Sequence, residues 1–295
     1  MTAVEAEKHE GEMARTSVQD LSTDEAPRPA EAGSATGRWL RFLIPVLMLV
    51  GLIVVWQVYV MVYDVPHYIL PSPVRVAQAL AADWPVLLSA LWVTLTITLK
   101  ALVIALVGGV ALAILMAQSK WIELALYPYA VILQVTPVVA IAPLILIYTP
   151  TTQAAILICA WIVAFFPVLS NTTQGLRSTD HNLLNLFELY RASRWQTLIF
   201  LQLPNALPYF LAGLRIAGGL ALIAAVVGEF AAGTAGAGSG LAFRLLESQY
   251  RLNIPRLFGA LILLSLTGVL IFAATSLVSH LLLRKWHESA VRREN

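Results

Sequence analysis

Long unbroken apolar runs, rather than strict alternation of apolar and polar positions, organise this chain. A membrane-spanning helix needs about 20 apolar residues. Runs of that kind cover 42–63, 88–117, 124–148, 154–170, 206–232 and 257–283, and each predicts a helix. The second run is too long for a simple crossing. Lys100 divides its charge-free part, 101–117, from an earlier stretch with Ser89, Thr94, Thr96 and Thr98. That earlier stretch reads as an interfacial helix leading into the membrane. Pro128, Pro137 and Pro143 in the third run each remove a backbone donor and predict kinks. Ahead of all six lies 1–37, rich in Ala, Glu, Ser, Thr and Pro, with no apolar run. Such a segment buries too little surface to offset its ordering entropy, so it predicts a disordered tail. It lacks the basic start and apolar core of a signal peptide, so the first run is expected to remain in the membrane.

Composition narrows the class. Hydrophobic residues make up 59% of the 295 and charged residues 12%, with mean hydropathy +0.77. A soluble domain carries about 25% charged residues, so soluble enzymes, disordered chains and nucleic-acid binders are excluded. The tail is acidic, with Glu5, Glu7, Glu10, Glu12, Asp20, Asp24, Glu25 and Glu31 against Lys8, Arg15, Arg28 and Arg38. Six crossings put both termini on one side. Arg38, Arg41, Lys120, Arg177, Arg191, Arg194, Arg284, Lys285, Arg292 and Arg293 fall on that side, against Arg75, Arg244, Arg251 and Arg256 opposite. Basic residues mark the cytoplasmic side, so the expectation is a multi-pass protein of the cytoplasmic (inner) membrane of a bacterium with both ends inside. The three arginines of loop 233–256 are candidate contacts for something outside.

Chemistry inside the runs is sparse. The one cysteine, Cys159, excludes an intrachain disulfide, and the five histidines show no metal-ligand spacing. Gly236-Ala237-Gly238-Ser239-Gly240 lacks the Lys-Ser/Thr of a phosphate loop and reads as a bend. No cofactor or metal is expected in this chain. A charge at the bilayer centre costs about 2.5–3.5 kcal/mol by insertion scales and usually faces a cavity or reaches an interface. Lys100 reads as reaching the outer headgroups or lining a pathway. Glu229 reads equally as lining a pathway or as capping the Gly-rich bend, and Arg215 as an inner-interface anchor.

The most polar segment after the tail is the predicted cytoplasmic loop 171–205. From His181 to Gln202, Leu183, Leu184, Leu186, Phe187, Tyr190, Trp195, Leu198 and Ile199 recur at spacings of three and four, with Glu188, Arg191, Arg194 and Gln196 between. This predicts one amphipathic helix or two short ones, ended by Pro204. Periodicity leaves two readings open: a helix lying on the membrane surface, or a ridge entering the groove of a cytoplasmic partner.

From Ala192 to Leu222 the chain resembles the permease subunit of binding-protein-dependent ABC importers. Their cytoplasmic signature is Glu-Ala-Ala, three residues, Gly, nine residues, then Ile-x-Leu-Pro. Leu201-Gln202-Leu203-Pro204 matches its end, which sets Arg191 at the Gly position and Asn185-Leu186-Phe187 at the Glu-Ala-Ala positions. The distal half matches and the proximal half is degenerate; Arg in place of Gly puts the usual tight turn in question. Leu70-Pro71-Ser72-Pro73, Pro137 to Leu146, Phe166-Pro167, Asn171-Thr172, Gly175 to Ser178 and Arg284-Lys285-Trp286-His287 resemble, in order, the nitrate, sulfonate, taurine and bicarbonate branch. The likeness extends over about 52–288.

The resemblance implies an all-α type I importer fold with six transmembrane helices and a cytoplasmic coupling helix. It implies a solute path shared with a second permease, identical or paralogous. A cytoplasmic ATPase pair would hold ATP and Mg, and an external binding protein would deliver the solute; nucleic acid has no part. Asn185, Leu186, Phe187, Glu188, Tyr190, Arg191, Arg194, Leu203 and Pro204 are then the ATPase-coupling residues. Glu229, Lys100, Pro137 and Pro143 are candidates for lining or gating the path. Related permeases serve small oxyanions such as nitrate and sulfonates, or heterocycles such as pyrimidines and riboflavin. The competing reading, a self-contained carrier or channel, calls for internal repeats and paired midplane charges, neither of which stands in the sequence.

Overall fold

In an apolar surrounding, a spanning segment must satisfy its backbone donors and acceptors within itself, and a helix does so. The computed structural model describes residues 35–233 and 238–284, and every regular element among them is helical. The helices are α1 (Ala35–Val62), α2 (Pro73–Ala82), α3 (Trp84–Gln118), α4 (Lys120–Val135), α5 (Val138–Tyr148) and α6 (Thr152–Arg177). They continue with α7 (His181–Leu189), α8 (Arg194–Thr197), a π turn over Leu198–Gln202, α9 (Leu203–Ala232), α10 (Leu241–Tyr250) and α11 (Ile254–Leu283). Five helical bodies are long and apolar enough to cross a bilayer, and six if α4 and α5 count as one broken span. The chain divides into two units at Val55–Trp56, the first of which is described only as the N-terminal part of α1. The second unit carries everything below. Most of the acidic tail lies outside the described residues, and helix begins at Ala35.

Three expectations change. The run 88–117 is not an interfacial helix joined to a span: α3 is continuous through Lys100. The threonines that look like a break are satisfied inside the helix, since Thr96 donates to the Trp92 carbonyl at 2.7 Å and Thr98 to the Thr94 carbonyl at 2.8 Å. The run 124–148 is not a single kinked span. It breaks between α4 and α5 with a bend of 101°. Thr136 before Pro137 is extended at ψ 122°, as the ring of a following proline demands, while Pro128 and Pro143 are accommodated within their helices. The fourth span does not end at Ser170. α6 runs to Arg177, so the interhelical loop starts at Ser178 rather than at Asn171. Its polar end stays helical because it is packed: the Asn171 amide donates to the Pro167 carbonyl at 2.8 Å, and Gly175 abuts Ala206 and Tyr209 of α9. Pro73 opens α2 behind Ser72, whose hydroxyl accepts from the Arg75 N–H.

The core lies where α6 is flanked by α3 and α9. Without a hydrophobic drive between helices in lipid, small residues that permit close backbone approach supply the packing. A Cβ on Gly213 of α9 would stand 2.8 Å from the Pro167 carbonyl oxygen of α6, and one on Gly109 of α3 would stand 2.9 Å from Val168 of α6. Leu169, Leu176, Leu198, Leu211 and Met116 are fully buried around these crossings. α11 lies along α9 and α3: a Cβ on Gly218 of α9 would meet Ile271 and Thr275 of α11 and Leu102 of α3.

Candidate functional site

Two constructions stand at opposite ends of α9. At its N-terminal end the loop 178–202 folds into two short helices, α7 and α8. Asp180 caps α7 by accepting from the Asn182 N–H at 2.8 Å. Ser193 and Gln196 close a capping box on α8: the Gln196 N–H donates to the Ser193 hydroxyl, and the Gln196 side chain accepts from the Ser193 N–H.

Between the two helices the chain reverses in a Schellman turn. The Ala192 N–H donates to the Phe187 carbonyl and the Arg191 N–H to the Glu188 carbonyl, both at 2.9 Å. That motif needs a left-handed residue at the position after the cap, where glycine is usual. Arg191 occupies it at φ 55°. The tight turn is therefore present despite the missing glycine, at a conformational cost of about 1–2 kcal/mol relative to right-handed backbone.

Pro204 does not end this segment. It sits in the first turn of α9, and helix continues from Arg194 to Ala232 through the π turn. A proline inside a helix lacks an N–H and its ring crowds the carbonyl four residues back. Widening the preceding turn, with the Leu203 N–H donating to the Leu198 carbonyl five residues back, relieves that crowding.

Of the residues singled out in the loop, Leu186, Phe187, Tyr190 and Arg191 are brought together. With Ala192, Gln196 and Phe200 they line a cleft of about 570 Å3. Tyr190 is 79% exposed and Phe200 69%, a large apolar surface for the most polar segment after the tail. Asn185, Glu188 and Arg194 lie exposed on α7 and α8 outside the cleft, and Leu203 and Pro204 begin α9. Gln196 stood only among the intervening polar positions and Phe200 was not named; their place in the cleft depends on the reversal at Arg191, which periodicity does not show. Arg177 is ion-paired with Glu123 of α4, whereas neither Arg191 nor Arg194 has an ion-pair partner among the described residues.

At the C-terminal end of α9, Glu229 is 2% exposed and forms a clasp. Its carboxylate accepts from the Thr94 hydroxyl of α3 at 2.7 Å and from the Ala242 N–H at the start of α10 at 2.8 Å. Thr94 in turn accepts from the Leu241 N–H at 2.8 Å. Two of the N–H groups that open α10 are thus satisfied by side chains from two other helices. A Cβ on Gly240 would overlap the carboxylate, so this glycine is required by space. Glu229 thus sits as a side-chain acceptor at the start of α10, just after the Gly-rich bend. Gly238 and Gly240 belong to the predicted bend; 234–237 lie outside the described residues.

The arginines of the 233–256 segment pair with acids. Glu247 receives Arg244 at 2.9 Å and Arg251 at 3.0 Å, and Arg256 reaches Asp83 at 3.5 Å. The Arg244 hydrogen bond, with the charges of Arg244, Arg251 and Arg256, holds the Glu247 carboxyl below the usual carboxylate range. The remaining pathway candidates stay apart. Lys100 is exposed midway along α3, Pro137 caps α5 at the break, and Pro143 is exposed inside α5. Arg215 stands about 18 Å along α9 from Leu203 at 1.5 Å per residue. Its guanidinium lies over the Phe272 ring of α11 at 5.8 Å.

The arrangement of spans, broken helix and capped loop has counterparts. Residues 105–288 match the model of the binding-protein-dependent transport system inner membrane component family. The chain belongs to that family. It is the permease subunit of an ABC importer, a multi-pass membrane protein of systems that also comprise an ATPase and a binding protein. It is 34% identical to the formylaminopyrimidine transport permease protein ThiX of Halalkalibacterium halodurans, over 82% of this chain and 95% of that one. It is 30% identical to the putative aliphatic sulfonates transport permease protein SsuC of Escherichia coli, over 84% and 93% respectively. Among solved structures, an amino acid ABC transporter described with histidines shares the fold at a TM-score of 0.58. It covers 70% of this chain and 97% of its own, at 19% identity.

Proposed function

We propose that this permease forms the membrane path for a small solute together with a second permease, and that its 178–202 loop is the element a separate ATPase pair engages. The single observation that carries this reading is the cleft. An apolar, largely exposed surface built from Leu186, Phe187, Tyr190 and Phe200 sits in the most polar segment after the tail, on a rigidly capped turn. Exposed apolar patches rimmed by polar residues mark interaction sites, and here Arg191 and Gln196 supply the polar lining. ATP and Mg are bound by the partner; this chain contributes no nucleotide site and no catalytic group. Both termini and the loop lie in the cytoplasm, and the Arg244–Glu247–Arg256–Asp83 end faces the binding protein.

The test is co-purification with the ATPase encoded beside it, followed by binding-protein-stimulated ATP hydrolysis in liposomes. Leu186→Asp combined with Phe187→Asp is expected to abolish ATPase association while leaving membrane insertion intact; normal association in that double variant removes the reading.

For the substrate we propose a flat heterocycle of the pyrimidine class ahead of a small oxyanion. The pyrimidine-transport relative is the more similar of the two, 34% against 30%, over nearly its whole length. Uptake of a labelled aminopyrimidine by the reconstituted system, unaffected by excess nitrate or alkanesulfonate, is the expected result. Uptake of the anions alone reverses the order.

A further inference from the structure

Among the cleft residues Arg191 is the anomaly. It occupies a left-handed backbone position that glycine would fill without strain. Its neighbours in the cleft are Leu186, Phe187, Tyr190, Ala192, Gln196 and Phe200, none of them acidic. Glu188 lies one turn earlier and shares only backbone with it, through the Arg191 N–H. Of the nearby basic groups, Arg194 is likewise without an ion pair among the described residues, whereas Arg177 is paired with Glu123. The side chain therefore places a planar guanidinium, with five donors in a fixed fork and no acidic partner among the described residues, at an apolar cleft.

We propose that Arg191 is a specificity-determining contact for the ATPase subunit: it takes a carboxylate on the ATPase surface while an apolar side chain of the same subunit fills the cleft. This rests on the reading of the loop as the ATPase-docking element. The observations favour a protein occupant. A carboxylate answers the charge and an apolar side chain answers the cleft, and a folded surface presents both at once. A charged pair at the edge of an apolar contact discriminates among partners more than it adds affinity. A permease with glycine at this position lacks the charge, so an ATPase adapted to such a permease has no need of the carboxylate.

The experiment uses the full complex with the ATPase encoded beside the permease, reconstituted in nanodiscs of neutral lipid and, separately, of mixed neutral and anionic lipid. Arg191→Gly relieves the backbone and is expected to keep or raise the melting temperature of the permease. It is also expected to weaken ATPase retention about tenfold in both lipids and to flatten its dependence on salt. Arg191→Lys should recover part of the retention, and Arg191→Glu should lose more than Arg191→Gly. Arg191→Gly should also narrow the preference for this ATPase over one taken from a system whose permease carries glycine there. Retention within twofold of the parent in Arg191→Gly overturns the proposal. So does a loss confined to anionic nanodiscs, which would make Arg191 a lipid-phosphate contact. If Leu186→Asp with Phe187→Asp abolishes retention while Arg191→Gly does not, only this inference falls. If neither does, the docking reading falls with it.

Discussion

Removing the Glu229 carboxylate tests whether the clasp holds α10 to the bundle. Glu229→Ala deletes the acceptor of the Thr94 hydroxyl and of the Ala242 N–H, bonds of 2.7 and 2.8 Å. Both are buried, with Thr94 at 0% exposure and Ala242 at 0%. A buried donor left unpaired costs about 1–3 kcal/mol. Thr94 recovers part of that by turning its hydroxyl to the Ala90 carbonyl at 3.3 Å, so the sum is about 3 kcal/mol. For a chain of this size a melting temperature moves about 2–4 °C per kcal/mol, giving a drop of about 6–12 °C. Thr94→Val removes one bond to Glu229 and strands the Leu241 N–H, at about 2 kcal/mol by the same rule. The two residues share a partner set, so the double variant should be less destabilised than the sum, with a coupling of about 1 kcal/mol or more. The assay is thermal unfolding of the purified protein in one detergent, over the four corners of the cycle. Strict additivity, or a Glu229→Ala drop below about 2 °C, would refute the clasp.

Two further perturbations probe the packing and the charges. Gly213→Ala drives a methyl against the Pro167 carbonyl at the α6–α9 crossing and is expected to cost about 1–3 kcal/mol as overpacking. Gly219→Ala, two turns away with nothing within 4 Å, should be neutral or slightly stabilising; equal melting temperatures for the two would show that the crossing is not that close. Lowering the pH should weaken the Glu247 network. Because the folded-state carboxyl is held below its unfolded value, its contribution is complete above the unfolded value and disappears as pH falls through the depressed one. Melting temperature measured from neutral pH down to about 3 should therefore fall more steeply for the parent than for Glu247→Gln, and parallel curves would remove the network from the account.

How much of this was legible beforehand depended on range. The apolar runs located every long helix, because a period-free stretch of that length has one stable form in lipid. Errors fell where a polar residue is satisfied by something several turns or a whole helix away. Thr94, Thr96 and Thr98 looked like an interface until their hydroxyls were seen to return to their own helix or to Glu229. Asn171 to Arg177 looked like loop because the sequence does not display the α9 backbone packed on Gly175. Pro204 looked like a stop, since the compensating π turn is set by geometry and not by any residue type. In the loop, the residues lining the cleft were half visible: Leu186, Phe187, Tyr190 and Arg191 carry the local period, while Gln196 and Phe200 join them only through a reversal hidden by an arginine at a glycine position.

The same continuity that misled the reading of Pro204 bears on how the subunit works. Arg194 to Ala232 is one helical body of 39 residues, about 58 Å at 1.5 Å per residue. One end carries Gln196 and Phe200 of the cleft, and the other carries Glu229 of the clasp. Between them the body is fixed to α6 at Gly213 and Gly228, where added bulk has no room, so it cannot shear freely along its neighbour. A force applied at the cleft is then delivered either to the π turn, where the hydrogen-bond ladder is already displaced by one residue, or to the α6–α9 pair moving together. The buried Leu198, at 1% exposure inside the π turn, opposes the first course. On the proposed docking of the loop, its motion would pass to the α6–α9 pair together, and the clasp on α10, which joins that pair to α3, is the far contact such a motion would have to carry or break.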